Sequence, residues 1–288
     1  MSKILIVAGL EDKCAATSRG LQLAELMDLQ VEVVAFAYAN LKRLKLDKSG
    51  IADVKQRLLN QRRQAVDAQL ERLVGPEHRA KVSVIWSENV HPWIIKRAAG
   101  DYAAVIKGRH PSESMGYTST DWHLLRECKA PVLLVSRQKW KKGSAIMATV
   151  DLEATAKAKQ SLNADVITTA RHYAEMLQVD LSVLCVIDVP TLLVDFDLID
   201  ARTYANERMK ELQPALAALA KKTGLPVSKF KLKRGPVAKT IVSEAAESKA
   251  QLVVMGTVGR RGVRAQLLGN TAEEALQLLK TDTLTLKP

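Results

Sequence analysis

Leu252-Val253-Val254-Met255-Gly256-Thr257-Val258-Gly259 runs from an apolar, β-branched segment into glycine, and after Arg260 to Leu268 the chain continues Gly269-Asn270-Thr271-Ala272-Glu273-Glu274. The apolar run reads as a buried strand, the glycines as a loop, and Asn-Thr followed by a Glu pair as a helix start. Strand, glycine loop and helix together suit an anion such as phosphate. Glycine lets the backbone approach a ligand closely, and a helix N-terminus presents unpaired N–H groups at the positive end of its dipole. The spacing Gly256-x2-Gly259-x9-Gly269 is neither a Walker loop, which ends Gly-Lys-Ser/Thr, nor the G-x-G-x-x-G of a dinucleotide fold.

Around this stretch, strands are predicted at 146–150, 181–187, 227–233, 252–255 and 283–286, with helices near 159–177, 201–222, 236–247 and 271–279 between them. The preceding half has the same order. Strands at 3–8, 31–37, 82–86, 103–106 and 131–135 alternate with helices near 14–27, 51–73, 91–99 and 121–128. Five strands alternating with helices are the pattern of an open parallel α/β sheet. The halves also match residue by residue: Ile4 to Glu11 (ILIVAGLE) lies over Ile146 to Glu153 (IMATVDLE) at an offset of 142. Asp101 to Gly108 lies over Lys249 to Gly256 at 148, and Thr120 to Val135 over Thr271 to Leu286 at 151. The chain is an internal duplication. The expected domains are 1–136 and 144–288, joined by a basic linker at 137–143.

The 288 residues suffice for about two domains, and 47% are apolar, an ordinary globular share. No stretch approaches the roughly 20 apolar residues of a membrane span, and the first apolar run reads as a strand rather than a signal peptide, so a cytoplasmic protein is expected. Cys14, Cys128 and Cys185 are too scattered for a redox pair or a disulfide framework and are expected to be reduced packing residues. The five histidines have no metal-ligand spacing. The net charge of +12 is uneven: residues 1–142 hold 24 Lys+Arg against 15 Asp+Glu, and residues 143–288 hold 19 against 16. The basic residues are interspersed with acidic ones, without an arginine-rich arm or RNP-type strand, so a solvated surface is preferred to nucleic-acid binding.

Met255-Gly256-x2-Gly259-x9-Gly269-Asn270-Thr271, with Thr149-Val150-Asp151 closing a first strand and Val186-Ile187-Asp188 a second, resembles the universal stress protein family. Thr118 to Arg126 and Leu268 to Glu273 further resemble its tandem, E-type members. The resemblance implies two open five-stranded parallel sheets of order 3-2-1-4-5, flanked by helices, of the adenine-nucleotide alpha-hydrolase-like type, arranged as a pseudo-dimer. Ligand would sit where the strand order reverses. By the same resemblance, ATP, with magnesium, would be flanked at base and ribose by Val150 and Asp151 and would meet the backbone of Val186. Gly256, Gly259, Gly269, Asn270 and Thr271 would line its phosphates, with Thr149 and Met255 beside them. Asn270 stands where the family's ATP-binding pattern has Ser or Thr. Arg260, Arg261 and Arg264 either neutralise phosphate or form a solvated basic loop. In the first half Gly9 replaces Asp151, Pro111 falls in the shortened loop, Thr118-Ser119 replaces Gly269-Asn270, and only Gly108 survives. That half is expected to be a scaffold or to take another ligand.

The expected activity is therefore a stress-response protein that works by binding rather than catalysis. Two other readings stand: a module for apolar, lipid-type ligands or protein partners with no nucleotide site, and a slow nucleotide hydrolase. The strands Val132–Val135 and Thr283 to Leu286 are expected to pair internally as the pseudo-dimer contact. The lysines of Lys229-Phe230-Lys231-Leu232-Lys233 are read as protecting an edge strand. The indoles of Trp93 and Trp122, and His123, are read as structural.

Overall fold

The computed structural model describes all residues except 1–2, 11–13, 44–45, 110–119, 142 and 258–269. The chain forms two compact units, Met1–Arg137 and Gln138–Pro288. In the first, the strands are β1 (Lys3–Val7), β2 (Gln30–Ala37), β3 (Lys81–Trp86), β4 (Tyr102–Gly108) and β5 (Val132–Val135). The helices are α1 (Ala15–Leu26), α2 (Lys48–Val74), α3 (Val90–Arg97) and α4 (Thr120–Glu127). The sheet order is β3-β2-β1-β4-β5, and every pairing is parallel. Runs such as Ile4 to Val7 and Val105-Ile106 are buried because helices cover both faces, so these strands read as continuous apolar stretches without alternation.

The second unit repeats this plan with β6 (Ala145–Val150), β7 (Asp180–Ile187), β8 (Phe230–Arg234), β9 (Ala250–Gly256) and β10 (Asp282–Leu286), in the order β8-β7-β6-β9-β10. Its helices are α5 (Lys157–Leu177), α6 (Thr191–Asp195), α7 (Ala201–Thr223), α8 (Val237–Glu247) and α9 (Asn270–Leu278). The strand registers reproduce the duplication offsets. Ile4 pairs with Ala104 as Ile146 pairs with Leu252, and Gly108 pairs with Val135 as Gly256 pairs with Leu286. The irregularity that offsets Lys3 from Ile4 recurs between Ala145 and Ile146.

Two elements depart from the sequence expectation. The strand expected at 227–233 begins later, because Val227–Lys229 is a 3₁₀ turn in which the Lys229 N–H donates to the Pro226 carbonyl at 3.0 Å. Lys229 therefore leaves the strand face assigned to it and faces Asp180, 3.6 Å away. Lys231 and Lys233 remain on edge strand β8, where Lys233 reaches the buried Glu244 carboxylate at 2.6 Å. Their arrangement serves packing against α8 as well as edge protection. The second departure is α6, a short helix between β7 and α7 that periodicity did not indicate. Trp93 packs edge-on against Phe36, with ring centroids 5.8 Å apart, and His123 stacks on His91 at 3.7 Å.

Candidate functional site

In the second unit the reversal of strand order falls between β6 and β9, and a cavity of about 350 Å³ opens at their carboxyl ends. Its volume is in the range of small-molecule sites. Thr149, Val150 and Asp151 reach it from the end of β6, Val186 from β7, and Met255 and Gly256 from β9. Six residues proposed from the sequence are thus brought to one cavity. Alternation along β7 puts Leu184, Val186 and Asp188 on the same wall, and a one-turn spacing on α8 puts Val237 and Ile241 opposite. Ala272, in the first turn of α9, completes that end. Asn270 and Thr271 lie at the start of α9, but their side chains, and the whole of Gly259, Arg260, Arg261, Arg264 and Gly269, lie outside the described residues.

Asp151 is held from two directions. Its backbone N–H donates to Asn163 Oδ1 at 3.1 Å, Asn163 Nδ2 donates to its carbonyl at 2.7 Å, and its own Oδ1 accepts the Glu153 N–H at 3.0 Å. The strand end is clamped to α5 and the carboxylate is oriented, which leaves Oδ2 to meet a donor. Glu153 in turn holds Arg208 of α7, which also pairs with Glu211. Burial pushes the Cys185 thiol on the neighbouring strand up to about 11, so it is an inert packing residue, and all three cysteines are buried and form no disulfide.

Gly256 has a packing role. A Cβ there would stand 2.6 Å from Cδ2 and 2.9 Å from Cγ of Leu162 on α5. Its lack of a side chain is required by the helix lying over β9 and does not depend on a ligand. At the first unit's counterpart, Gly108, no atom of the described residues beyond its chain neighbours comes within 4 Å of the same point.

Chemically, the described lining pairs apolar walls with the carboxylates Asp151, Glu153 and Asp188 and a single cation, Lys159. Such a cavity takes a flat apolar group between Val150, Val186 and Met255 and hydroxyl donors at the carboxylates. Asn163, Lys159 and Leu162 were not singled out from the sequence, and Asp188 was quoted only as the end of the second strand's motif, with no site role. The α5 residues line one face at spacings of three and four, a signal that says which side packs but not on what.

The first unit has filled the corresponding place with its own side chains. Lys107 and Asp121 occupy the repeat positions of Met255 and Ala272, and they form a buried ion pair at 2.7 Å. Lys107 Nζ also donates to the Gly108 carbonyl at 2.9 Å. At the end of β1, Arg62 of α2 donates from Nη2 to the carbonyls of Gly9 at 2.6 Å and Ala8 at 3.1 Å. Where the second unit's helix arginine is drawn off by Glu153, the first unit's caps the strand.

The model of the universal stress protein family matches residues 154–287, nearly all of the second unit. Over the full chain, the universal stress protein E homolog of Haemophilus influenzae is 27% identical across 291 residues, covering 96% of this chain and 94% of its own length. The second unit belongs to the universal stress protein family, and the whole chain is similar to its two-domain E members. Universal stress protein E of Escherichia coli K12 is 28% identical over 242 residues, covering 82% of this chain and 77% of its own. Among solved structures, a functionally unknown protein from Pseudomonas aeruginosa PAO1 superposes with a TM-score of 0.71 at 23% identity, covering 100% of this chain and 93% of that one. A universal stress protein from Archaeoglobus fulgidus does so with 0.63 at 16% identity, covering 99% and 96%. These two likenesses show the fold over the whole chain.

Proposed function

We propose that this universal stress protein serves a cytoplasmic stress response by binding an adenine nucleotide, or another phosphate-bearing ligand, in its second unit, and that it acts through binding rather than catalysis. The observation that carries the reading is the cavity at the strand reversal, with Asp151 clamped at its mouth and apolar walls beside it. The base would lie against Val150 and Val186 and a ribose hydroxyl would donate to Asp151. The phosphates would run toward the α9 N-terminus, with Gly259, Arg260, Gly269, Asn270 and Thr271 as the proposed surround. Three buried cysteines that form no disulfide fit a reducing compartment, and among the described residues no helix is long and apolar enough to cross a membrane.

Calorimetric titration of the full chain with ATP and magnesium tests the reading. Micromolar binding, weakened about tenfold or more by Asp151→Ala with the fold intact by circular dichroism, is the expected result; a charge-assisted hydrogen bond of about 1.5–3 kcal/mol sets that scale. No binding in either protein retires it. A second reading, an apolar ligand with no nucleotide site, is favoured by the single described cation in a lining dominated by valine, leucine, isoleucine and methionine. An apolar molecule released from the purified protein on denaturation would select it.

A further inference from the structure

The connection between β7 and α7 displays large apolar side chains outward from an ordered turn. Leu192, Phe196 and Leu198 are 65%, 67% and 68% exposed, and Leu193 beside them is 37% exposed. Their backbone is fixed by hydrogen bonds: Phe196 N–H to the Leu192 carbonyl at 3.2 Å, Asp197 N–H to Val194 at 3.0 Å, and Leu198 N–H to Leu193 at 2.9 Å. The last two bonds, with Asp197 left-handed at φ 55, form the helix stop in which the residue after the left-handed one normally folds its apolar side chain back onto the helix. Leu198 stands at that position and stays two-thirds in water. Asp is among the few non-glycine residues that tolerate the left-handed region, so the turn is compatible with its sequence. Leu192 and Phe196 are one helical turn apart and share a side. An apolar group this concentrated and this exposed marks an interaction site.

The charge around it is as distinctive. Residues 172–201 contain no Lys or Arg and six Asp or Glu, in a chain with 43 Lys+Arg against 31 Asp+Glu. Asp195 and Asp197 interleave with the apolar side chains, and neither makes an ion pair among the described residues. Asp200, the next acid, is occupied in capping α7 through the Thr203 N–H at 2.7 Å. Asp195 and Asp197 set two exposed carboxylates between the apolar side chains, while Arg202 and Arg234, the latter acting on Asp200, stand at the α7 end; the alternation of carboxylate and apolar side chain over 192–198 fits a helix with an apolar stripe edged by Lys or Arg.

We infer that residues 192–198 are a docking surface for a cationic amphipathic helix of a partner protein. The surface begins four residues beyond Asp188, which lines the cavity, so a docked partner sits beside the ligand site. The inference does not depend on what that cavity binds.

The test is fluorescence anisotropy of the full chain with a labelled 14-residue amphipathic Lys/Leu helix. A peptide of the same composition in scrambled order and one with Glu in place of Lys are the controls. Binding of the first peptide alone is expected. It should weaken about tenfold or more in the Leu192→Ser, Phe196→Ser, Leu198→Ser variant, and Asp195→Asn with Asp197→Asn should weaken it about threefold and flatten its salt dependence. All three apolar sites are exposed, so circular dichroism and the thermal midpoint should be unchanged. Equal affinity of the parent and the triple variant overturns the inference. Self-association of the parent by sedimentation, abolished in the triple variant while the peptide fails to bind, overturns it in favour of a second copy of the chain. Loss of ATP binding in the triple variant with peptide affinity unchanged makes the segment part of the ligand site and overturns it as well.

Discussion

Removing one partner of the Lys107–Asp121 pair should be far more damaging than removing both. Each side chain is almost wholly buried and their charged atoms are 2.7 Å apart. Asp121→Ala leaves an ammonium in the interior without its carboxylate, at a cost of about 3–5 kcal/mol. For a unit of this size, with a urea m-value of roughly 2 kcal/mol/M, that cost lowers the first unit's unfolding midpoint by about 1.5–2.5 M. Lys107→Met alone strands the carboxylate and should fall in the same range. The double variant Lys107→Met, Asp121→Ala installs the two residues that the second unit already carries at these positions, Met255 and Ala272. Replacing a buried pair by apolar groups is commonly neutral or stabilising by about 1–4 kcal/mol, so the midpoint should return to that of the parent or above. Urea titration of the four proteins by circular dichroism and tryptophan fluorescence completes the cycle, and all four tryptophans lie within residues 1–140. The reasoning is refuted if Asp121→Ala costs less than about 1 kcal/mol, or if the double variant is as unstable as the sum of the singles.

Gly256→Ala should cost the second unit about 1–3 kcal/mol, because its Cβ would fall 2.6 Å from Leu162 Cδ2 and overpack the helix; Leu162→Ala in the same background should recover part of it, as read by thermal midpoints. Glu32 is deeply buried, which opposes its ionisation, yet hydrogen bonds from Arg97 and Tyr102 prevail and hold its carboxyl below the usual 4.5. Its folded value is the lower one, so its contribution is complete above about pH 4.5 and is lost as pH falls through the folded value. Arg97→Leu leaves burial less opposed, and the stability gap to the parent, measured by urea unfolding, should be wide at neutral pH and narrower at pH below about 4.

The alternation of strands and helices and the duplication were legible because they depend on local features, whereas the strand order came with the family resemblance. Ile4 to Val7 and Leu252 to Met255 are buried on both faces and so read as uninterrupted apolar runs, and the register Ile4 to Ala104 repeats as Ile146 to Leu252 because the same residues recur. Asp151, Val186 and Met255 could be named because they match the family's motif at the ends of strands. Side chains arriving from a distance were not legible. Asn163 reaches Asp151 from twelve residues away on a helix, and Arg62 reaches Gly9 across 53 residues; neither spacing has a pattern. The early onset assigned to β8 was a failure of turn chemistry, since Pro226 sets a 3₁₀ turn over residues that look extended. α6 was missed because five residues are too few to show a helical period.

Arg62's hold on the Ala8 and Gly9 carbonyls has a consequence for how a duplicated chain can be regulated. Under the proposed function, a ligand that binds the folded second unit stabilises it by RT ln(1 + [L]/Kd), about 2.7 kcal/mol at a hundredfold excess over Kd. The first unit gains no such increment there, because its strand end is already taken by a side chain whose concentration never changes. One copy's melting temperature would then follow the cell's supply of the ligand while the other's stays constant, so a single polypeptide carries both a variable quantity and the standard against which it is compared.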